Sequence, residues 1–333
     1  MRATKCAIGP VAALAAGLAV TPLAAATRAI SIDGSSTVFP VMEAVAEEFQ
    51  KSRKGAVRVT VGISGTGGGF KKFCRGETDI SNGSRPILKE EIEACKKAGI
   101  NFIELPIAFD ALTVVVNPAN KLECITIADL KTMWEPAAQG KVKAWKDVNA
   151  AWPNQPLTLF GAGSDSGTFD YFTEATVGKA KSSRGDYTAS EDDNVLVKGV
   201  TGNPNAIGYF GFAYYAANPR AVKALAVDWG KGQGCVKPSL ENVLAGKYNP
   251  LSRPLFIYVS QKAAERPEVK EFVSFMIANG EQLIKEVKYL PLPTAAYPAV
   301  KARFDMGEVG SAFGGVPEVG VSIDDILKKK PAM

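Results

Sequence analysis

Three short stretches of this chain set serine, threonine and glycine at the point where a strand hands over to a helix, which demands a fold of alternating strands and helices. They are Gly34-Ser35-Ser36-Thr37-Val38-Phe39-Pro40, Ser64-Gly65-Thr66-Gly67-Gly68-Gly69-Phe70 and Asp165-Ser166-Gly167-Thr168-Phe169. The first N–H groups of a helix have no partner within it, and the aligned peptide dipoles add roughly half a positive charge at that end. Glycine lets the backbone come close to a ligand, and Ser and Thr hydroxyls add donors. Three such ends converging on one point hold a small oxyanion without a metal.

The rest of the chain has the same rhythm. Strand patterns fall at Ala29–Ile32, Val57–Val61, Thr78–Ser81, Phe102–Leu105, Asp110–Asn117, Leu157–Phe160, Ala206–Phe210 and Arg253–Val259. Helix patterns fall at Pro40–Gln50, Phe70–Arg75, Lys89–Ala98, Ile127–Trp134, from Ser166 through Glu174, and in two terminal helices, Glu268–Asn279 and Glu281–Val287. Short connections between them imply an α/β fold with a parallel or mixed sheet covered on both faces. A length of 333 residues suggests two domains. Two lobes joined by crossing strands near Asp110 and Pro254 leave a cleft where strand ends face each other. The expected division is a leader over 1–26, a first lobe from 27–110 and 254–333, and a second lobe over 111–253.

The leader reads as a secretory signal. Arg2 and Lys5 form its charged start, Val11 to Val20 its apolar run, and Ala24-Ala25-Ala26 a small-residue cleavage site, so the mature chain begins near Thr27. Its loss lowers the net charge from +5 to +3, too balanced for a nucleic-acid footprint. Export to an oxidising compartment also changes how cysteine is read. Cys6 leaves with the leader, and Cys74, Cys95, Cys124 and Cys235 remain for two disulfides. Three pairings are open; Cys74–Cys95 with Cys124–Cys235 is favoured because each pair stays within one lobe.

The chain contains no histidine. That removes the Ser-His-Asp triad, the Cys-His dyad and the H-E-x-x-H zinc site, and no C-x-x-C occurs, so no metal or other cofactor is expected. Ser166 is not a nucleophile elbow, since Gly-x-Ser-x-Gly fails around it and nothing activates its hydroxyl. The glycine run from Ser64 is not a Walker A loop, because no Gly-Lys-Ser/Thr closes it. Arg85, at the turn after Asp79–Ser84, is a candidate two-pronged donor to an oxyanion, and Asp110 a candidate acceptor.

Five motifs, in order, resemble the PstS family of periplasmic phosphate-binding proteins: Asp33-Gly34-Ser35-Ser36-Thr37-Val38, Gly65-Thr66-Gly67-Gly68-Gly69-Phe70, Asp79-Ile80-Ser81-Asn82-Gly83-Ser84-Arg85-Pro86, Asp165-Ser166-Gly167-Thr168-Phe169 and Ala206-Ile207-Gly208-Tyr209. The resemblance spans nearly all of the chain after the leader. It implies a two-lobed type II periplasmic binding protein, monomeric and non-enzymatic, that delivers phosphate to the permease of an ABC importer. It places Ser36, Thr37 and the Val38 amide at the ligand from the first lobe, with Thr66, or Ser64 as second choice, from the glycine run and Ser84 from the turn. Ser166, Gly167 and Thr168 come from the second lobe. Two positions depart from the family: Ala162 and Gly163 occupy the region where many members carry an arginine, and Arg85 stands where many carry an aspartate after the turn serine. The expectation is that Arg85 supplies the missing cation and Asp110 the acceptor for a protonated phosphate oxygen. The alternatives are a receptor for another oxyanion such as sulfate or molybdate, a secreted phosphate-ester hydrolase, and a structural or adhesive protein.

Overall fold

The computed structural model describes residues 28–316, Glu318, Val321 and 323–333, together with Met1. The leader, its cleavage site and Cys6 lie outside the described residues.

In chain order the strands are β1 Arg28–Gly34, β2 Val57–Val61, β3 Ile80–Gly83, β4 Phe102–Val116, β5 Cys124–Thr126, β6 Thr158–Ala162, β7 Thr188–Ser190 and β8 Ala206–Gly211, followed by β9 Lys223–Ala224, β10 Ala226–Asp228, β11 Cys235–Val236, β12 Ser252–Ser260 and β13 Leu290–Pro291. The principal sheet runs β2-β1-β3-β12-β4-β8-β6-β7. It is mixed: β1 is parallel to β2 and β3, β6 is parallel to β7 and β8, and β12 and β4 are antiparallel to their neighbours. A small second sheet orders β11-β10-β5.

The protein is two-lobed because its apolar residues bury in two main places. One core gathers Ile30 to Ala108 and returns with Leu255 to Ile326, joined by Ala213. The other gathers Ala111 to Leu251, joined by Leu290, and a smaller cluster around Phe210 and Val200 sits beside it. The chain changes core within β4 and again just ahead of Leu255. β4 and β12 therefore run side by side through the waist of the molecule, with Asp110 opposite Arg253.

β4 is one strand of 15 residues, where the sequence suggests two, Phe102–Leu105 and Asp110–Asn117. Pro106 lacks an N–H for the ladder and Asp110 is a poor strand former. The register of β12 shifts between Leu255 and Phe256, opposite Pro106–Ala108, so the irregularity is taken up beside the proline and pairing continues. The two terminal helices are likewise one, Pro267–Glu286. Gly280, read as a break, is buried inside it with the Tyr297 ring 3.4 Å from where its Cβ would stand, so packing outweighs its weak helix propensity.

Helices α1 Phe39–Ser52 and α2 Gly65–Phe73 follow β1 and β2. The glycine run is thus the first turn of α2 rather than a loop ahead of it. A Cβ on Gly69 would lie 2.6 Å from Gly34 Cα, so only glycine lets α2 rest on the end of β1. α3 Lys89–Lys97, α4 Ile127–Trp134, α5 Trp145–Val148, α6 Gly167–Val177, α7 Asp193–Gly202 and α8 Phe212–Ala217 complete the elements around the cleft.

Cys74 pairs with Cys95, tying the end of α2 to α3, and Cys124 pairs with Cys235, tying β5 to β11. The bridges span 21 and 111 residues. Loop-closure entropy makes the longer one worth about 4–5 kcal/mol and the shorter about 3 kcal/mol. Thermal unfolding of the two double cysteine-to-alanine variants is expected to show the larger loss for Cys124/Cys235; equal losses would contradict the loop-length account.

Candidate functional site

All three strand-to-helix junctions reach the seam between the two cores. Thr37, just ahead of α1, and Thr168, in the first turn of α6, are both fully buried. Their hydroxyl oxygens are 3.1 Å apart although 131 residues separate them. Thr66 Oγ1, in the first turn of α2, lies 3.1 Å from Ser84 Oγ and accepts the Ser84 N–H at 3.1 Å. Gly167 fits against this second pair. A Cβ there would stand 2.5 Å from Thr66 Oγ1 and 2.7 Å from Ser84 Oγ. Because Gly167 and Thr168 are adjacent, the two hydroxyl pairs meet at the first turn of α6.

Neighbouring groups hold these segments still. Tyr214 Oη donates to the Ser36 carbonyl at 2.8 Å and Tyr289 Oη to the Thr37 carbonyl at 2.5 Å. Ser166 Oγ caps α6 by accepting the Thr168 N–H at 3.1 Å. The Val38 N–H donates to Ser35 Oγ at 3.4 Å. Hydroxyls can rotate to donate elsewhere, so the cluster is a ready set of neutral donors at helix starts.

A cation that the sequence reading does not single out, Arg253, stands in this cluster. Its Nη2 donates to Thr37 Oγ1 at 3.2 Å, to Thr168 Oγ1 at 2.9 Å and to Asp110 Oδ2 at 3.0 Å, and its Nε reaches the same carboxylate oxygen at 3.2 Å. Its side chain and that of Asp110 are completely buried, and Arg253 Nη1 is buried without a hydrogen-bond partner among the described residues. Burial pushes the Asp110 carboxyl up, against the pull of Arg253 and of the Phe212 N–H, which donates to Asp110 Oδ1 at 3.0 Å. One signal was available in the sequence. Asp110 and Arg253 both stand where the chain is expected to cross between lobes, and an acid and a base brought to one crossing can face each other.

Two of the expected ligands have protein partners of their own. Arg85 does not stand free to grip an oxyanion. Its Nε donates to Asp170 Oδ2 at 2.5 Å, its Nη1 to the Pro86 carbonyl at 3.0 Å and to Glu91 Oε2 at 2.8 Å, and its Nη2 to Glu91 Oε1 at 2.8 Å. Two carboxylates within reach outcompete any other use of a buried guanidinium. Ser64 turns away as well, donating to Asp33 Oδ1. Ser36 is buried beside the cluster, with its side chain facing Asp193.

Asp193, at the start of α7, has neither carboxylate oxygen in a regular hydrogen bond. The donors facing it are the Gly211 N–H and the Ser36 hydroxyl, and the charges that act on it are Arg253, which favours its ionised form, and Asp110, which opposes it. Burial pushes its carboxyl up from 3.8 to about 7. The folded chain therefore keeps a proton there that the unfolded chain has released between about pH 4 and pH 7. That contribution to stability is complete below pH 4 and is lost as pH rises through 7. The expected result is a melting temperature that falls across this interval, with the Asp193 share of the fall absent in Asp193→Asn; an unchanged slope in that variant would overturn the assignment. Glu191, pushed up to about 7 mainly by burial, adds to the same slope.

Among the described residues no helix is long and apolar enough to cross a membrane. No group of three or more Cys, Asp or Glu side chains that could hold a metal occurs among them either.

Residues 19–279 match the model of a PBP superfamily domain. The chain is 53% identical over 320 residues to protein SphX of Synechococcus elongatus, covering 96% of this chain and 94% of that one. It is 36% identical over 277 residues to the phosphate-binding protein PstS of Staphylococcus saprophyticus, covering 82% and 83%. Among solved structures it resembles a possible phosphate binding protein from Planctomyces limnophilus, with 47% identity, a TM-score of 0.62 and coverage of 84% of this chain and 99% of that one. A structure assigned to a phosphate ABC transporter substrate-binding protein of Clostridium perfringens, with bound phosphate, shares 28% identity at a TM-score of 0.68 and covers 80% and 100%. With two lobes, a cleft of hydroxyls at helix starts and these relatives over most of its length, the chain belongs to the PBP superfamily and, within it, to the PstS family of phosphate-binding proteins.

Proposed function

We propose that this protein binds inorganic phosphate between its lobes and delivers it to the membrane permease of an ABC importer. One observation carries the reading: Thr37, Thr168 and Arg253, from three distant segments, meet at hydrogen-bond distance, and Arg253 Nη1 has a buried N–H to offer. The names of the relatives support it, since one is a phosphate-binding protein and one carries bound phosphate. The ligand set is Ser36, Thr37, Val38, Thr66, Ser84, Ser166, Gly167 and Thr168, with Arg253 as the cation. A dehydrated oxyanion needs many donors, and neutral ones stabilise it without a full ion pair on every side. Asp110, beside the threonines, is the acceptor for a protonated phosphate oxygen. A carboxylate facing fully deprotonated sulfate sets two acceptors together and repels it.

In this reading the lobes divide at residues 110 and 253, and the hinge lies in the paired strands that cross there. The protein is exported after cleavage near Thr27, acts as a monomer and is not an enzyme. N-terminal sequencing of the protein from the periplasmic fraction tests the cleavage, and release of nitrophenol from an aryl phosphate would contradict the last point.

The deciding experiment is calorimetry on protein unfolded and refolded to strip bound ligand, titrated with phosphate, sulfate and molybdate at pH 6 and pH 8. One-to-one phosphate binding that excess sulfate does not displace is expected, with Asp110→Asn admitting sulfate. Equal binding of sulfate or molybdate would reassign the ligand, and no anion binding would refute the reading.

A further inference from the structure

Outside the hydroxyl cluster, ion pairs and a backbone hydrogen bond cross the seam between the lobes. The Asp165 carbonyl accepts the Gly67 N–H at 2.6 Å, and its carboxylate meets Lys71 Nζ at 2.7 Å. Lys181 Nζ lies 3.7 Å from Glu90. Between them sits the Arg85–Asp170 pair, with only 2% and 3% of the two side chains exposed. Each contact joins a residue of 65–97 to a residue of 165–181, and so one lobe to the other.

Arg85 is anchored on its own side before it reaches across. Both oxygens of Glu91 and the Pro86 carbonyl take its Nη groups, which leaves Nε pointed at Asp170. Asp170 belongs to the first turn of α6, and its N–H donates to the Ser166 carbonyl at 3.2 Å. Holding Asp170 therefore holds Ser166, Gly167 and Thr168. Asp170 Oδ1 is buried without a hydrogen-bond partner, so among the described residues Arg85 is the one hydrogen-bond donor to this carboxylate.

We propose that Arg85, with Asp170 and Glu91, is a positioning residue for anion binding: it locks the first turn of α6 against the first lobe without touching the ligand. This deepens the phosphate reading and rests on it. With the lock made, Gly167 stays seated against Thr66 and Ser84, and Thr168 stays within reach of Thr37 and Arg253. With it broken, the lobes separate more readily and the ligand leaves faster, while the groups that recognise the ligand are unchanged. Arg85→Ala accordingly still weakens binding, but through closure rather than through a lost ligand contact.

The test uses the full mature protein and the variants Arg85→Lys, Asp170→Asn and the two combined, with phosphate and sulfate as probes. Removing one partner of a buried, hydrogen-bonded pair is expensive, so each single variant should release phosphate at least about tenfold faster in stopped-flow fluorescence. Residues acting as a unit are not additive, so the double variant should be no worse than the poorer single one. Preference for phosphate over sulfate should equal that of the parent. Hydrogen exchange over residues 167–177, measured without phosphate, should be faster in all three. Lys71→Ala removes an exposed contact of the same seam, leaves the buried pair intact and should speed release by only about twofold. It serves as the reading of closure should the buried variants fail to fold, and a release rate equal to the parent's would then count against the lock.

Parental release rates in Arg85→Lys and Asp170→Asn would overturn the proposal. So would loss of phosphate preference in Arg85→Lys, because that marks a ligand contact. Failure of the phosphate reading looks different: the parent itself takes up no phosphate, while the exchange difference in α6 persists and upholds the lock.

Discussion

Arg253→Ala lowers phosphate affinity by at least about a hundredfold. The guanidinium donates to Thr37, Thr168 and Asp110 in a site from which water is excluded. Charge-assisted hydrogen bonds are worth about 1.5–3 kcal/mol each, and tenfold in affinity is about 1.4 kcal/mol. The same change strands the Asp110 carboxylate, so the fold loses about 3–5 kcal/mol as well. Three variants separate the two effects. Arg253→Lys keeps the charge but not the planar set of donors, and still binds poorly. Asp110→Asn removes the buried anion and leaves Arg253 in place. The double change Arg253→Met with Asp110→Asn removes both charges, so it regains stability by denaturant unfolding but not affinity by calorimetry. An Arg253→Ala protein that binds phosphate like its parent would show that the cluster at the waist is not the ligand site.

Gly167→Ala is expected to have the next largest effect. The new methyl would lie 2.5 Å from Thr66 Oγ1, 2.7 Å from Ser84 Oγ and 3.0 Å from Arg85 Cγ. None of these can step aside easily, because Thr66 and Ser84 are bonded to each other and Arg85 is pinned by Glu91 and Asp170. Overpacking of this kind costs about 1–3 kcal/mol, or roughly tenfold to a hundredfold in affinity if the seam must close on the ligand. The control is Gly202→Ala at the end of α7, where a methyl meets nothing within 4 Å. It should leave binding unchanged and gain a few tenths of a kcal/mol to 1 kcal/mol in stability. Equal affinities for Gly167→Ala and Gly202→Ala would place ligand closure somewhere other than the α6 turn.

Much of the framework is legible in the sequence because it is local. β2 and α4 stand where the spacing of apolar residues puts them, at Val57–Val61 and Ile127–Trp134. The three Ser/Thr/Gly junctions are all found ahead of or inside the first turn of a helix. The errors cluster where a local breaker is overruled by distant packing. Pro106 looks like a stop after one strand and Asp110 like the start of another, yet β12 pairs across both. Gly280 looks like a gap between helices, yet it is buried beside Tyr297.

The same division runs through the candidate site. From its residues alone the chain specified which backbone turns could present unpaired N–H groups and hydroxyls, since that property belongs to a handful of adjacent residues. It also showed that no histidine chemistry was available. It did not specify which arginine serves the cleft. Arg85 lies inside a recognisable motif and was the natural choice, but α3 and α6 bring Glu91 and Asp170 to it first. Arg253 carries no local mark. The register of β12 on β4 sets it opposite Asp110, 143 residues away, and Thr37 and Thr168 arrive beside it from the two lobes, which is why it is the cation of the proposed site. A buried charge takes its role from whichever partners satisfy it, and only the tertiary structure chooses those partners.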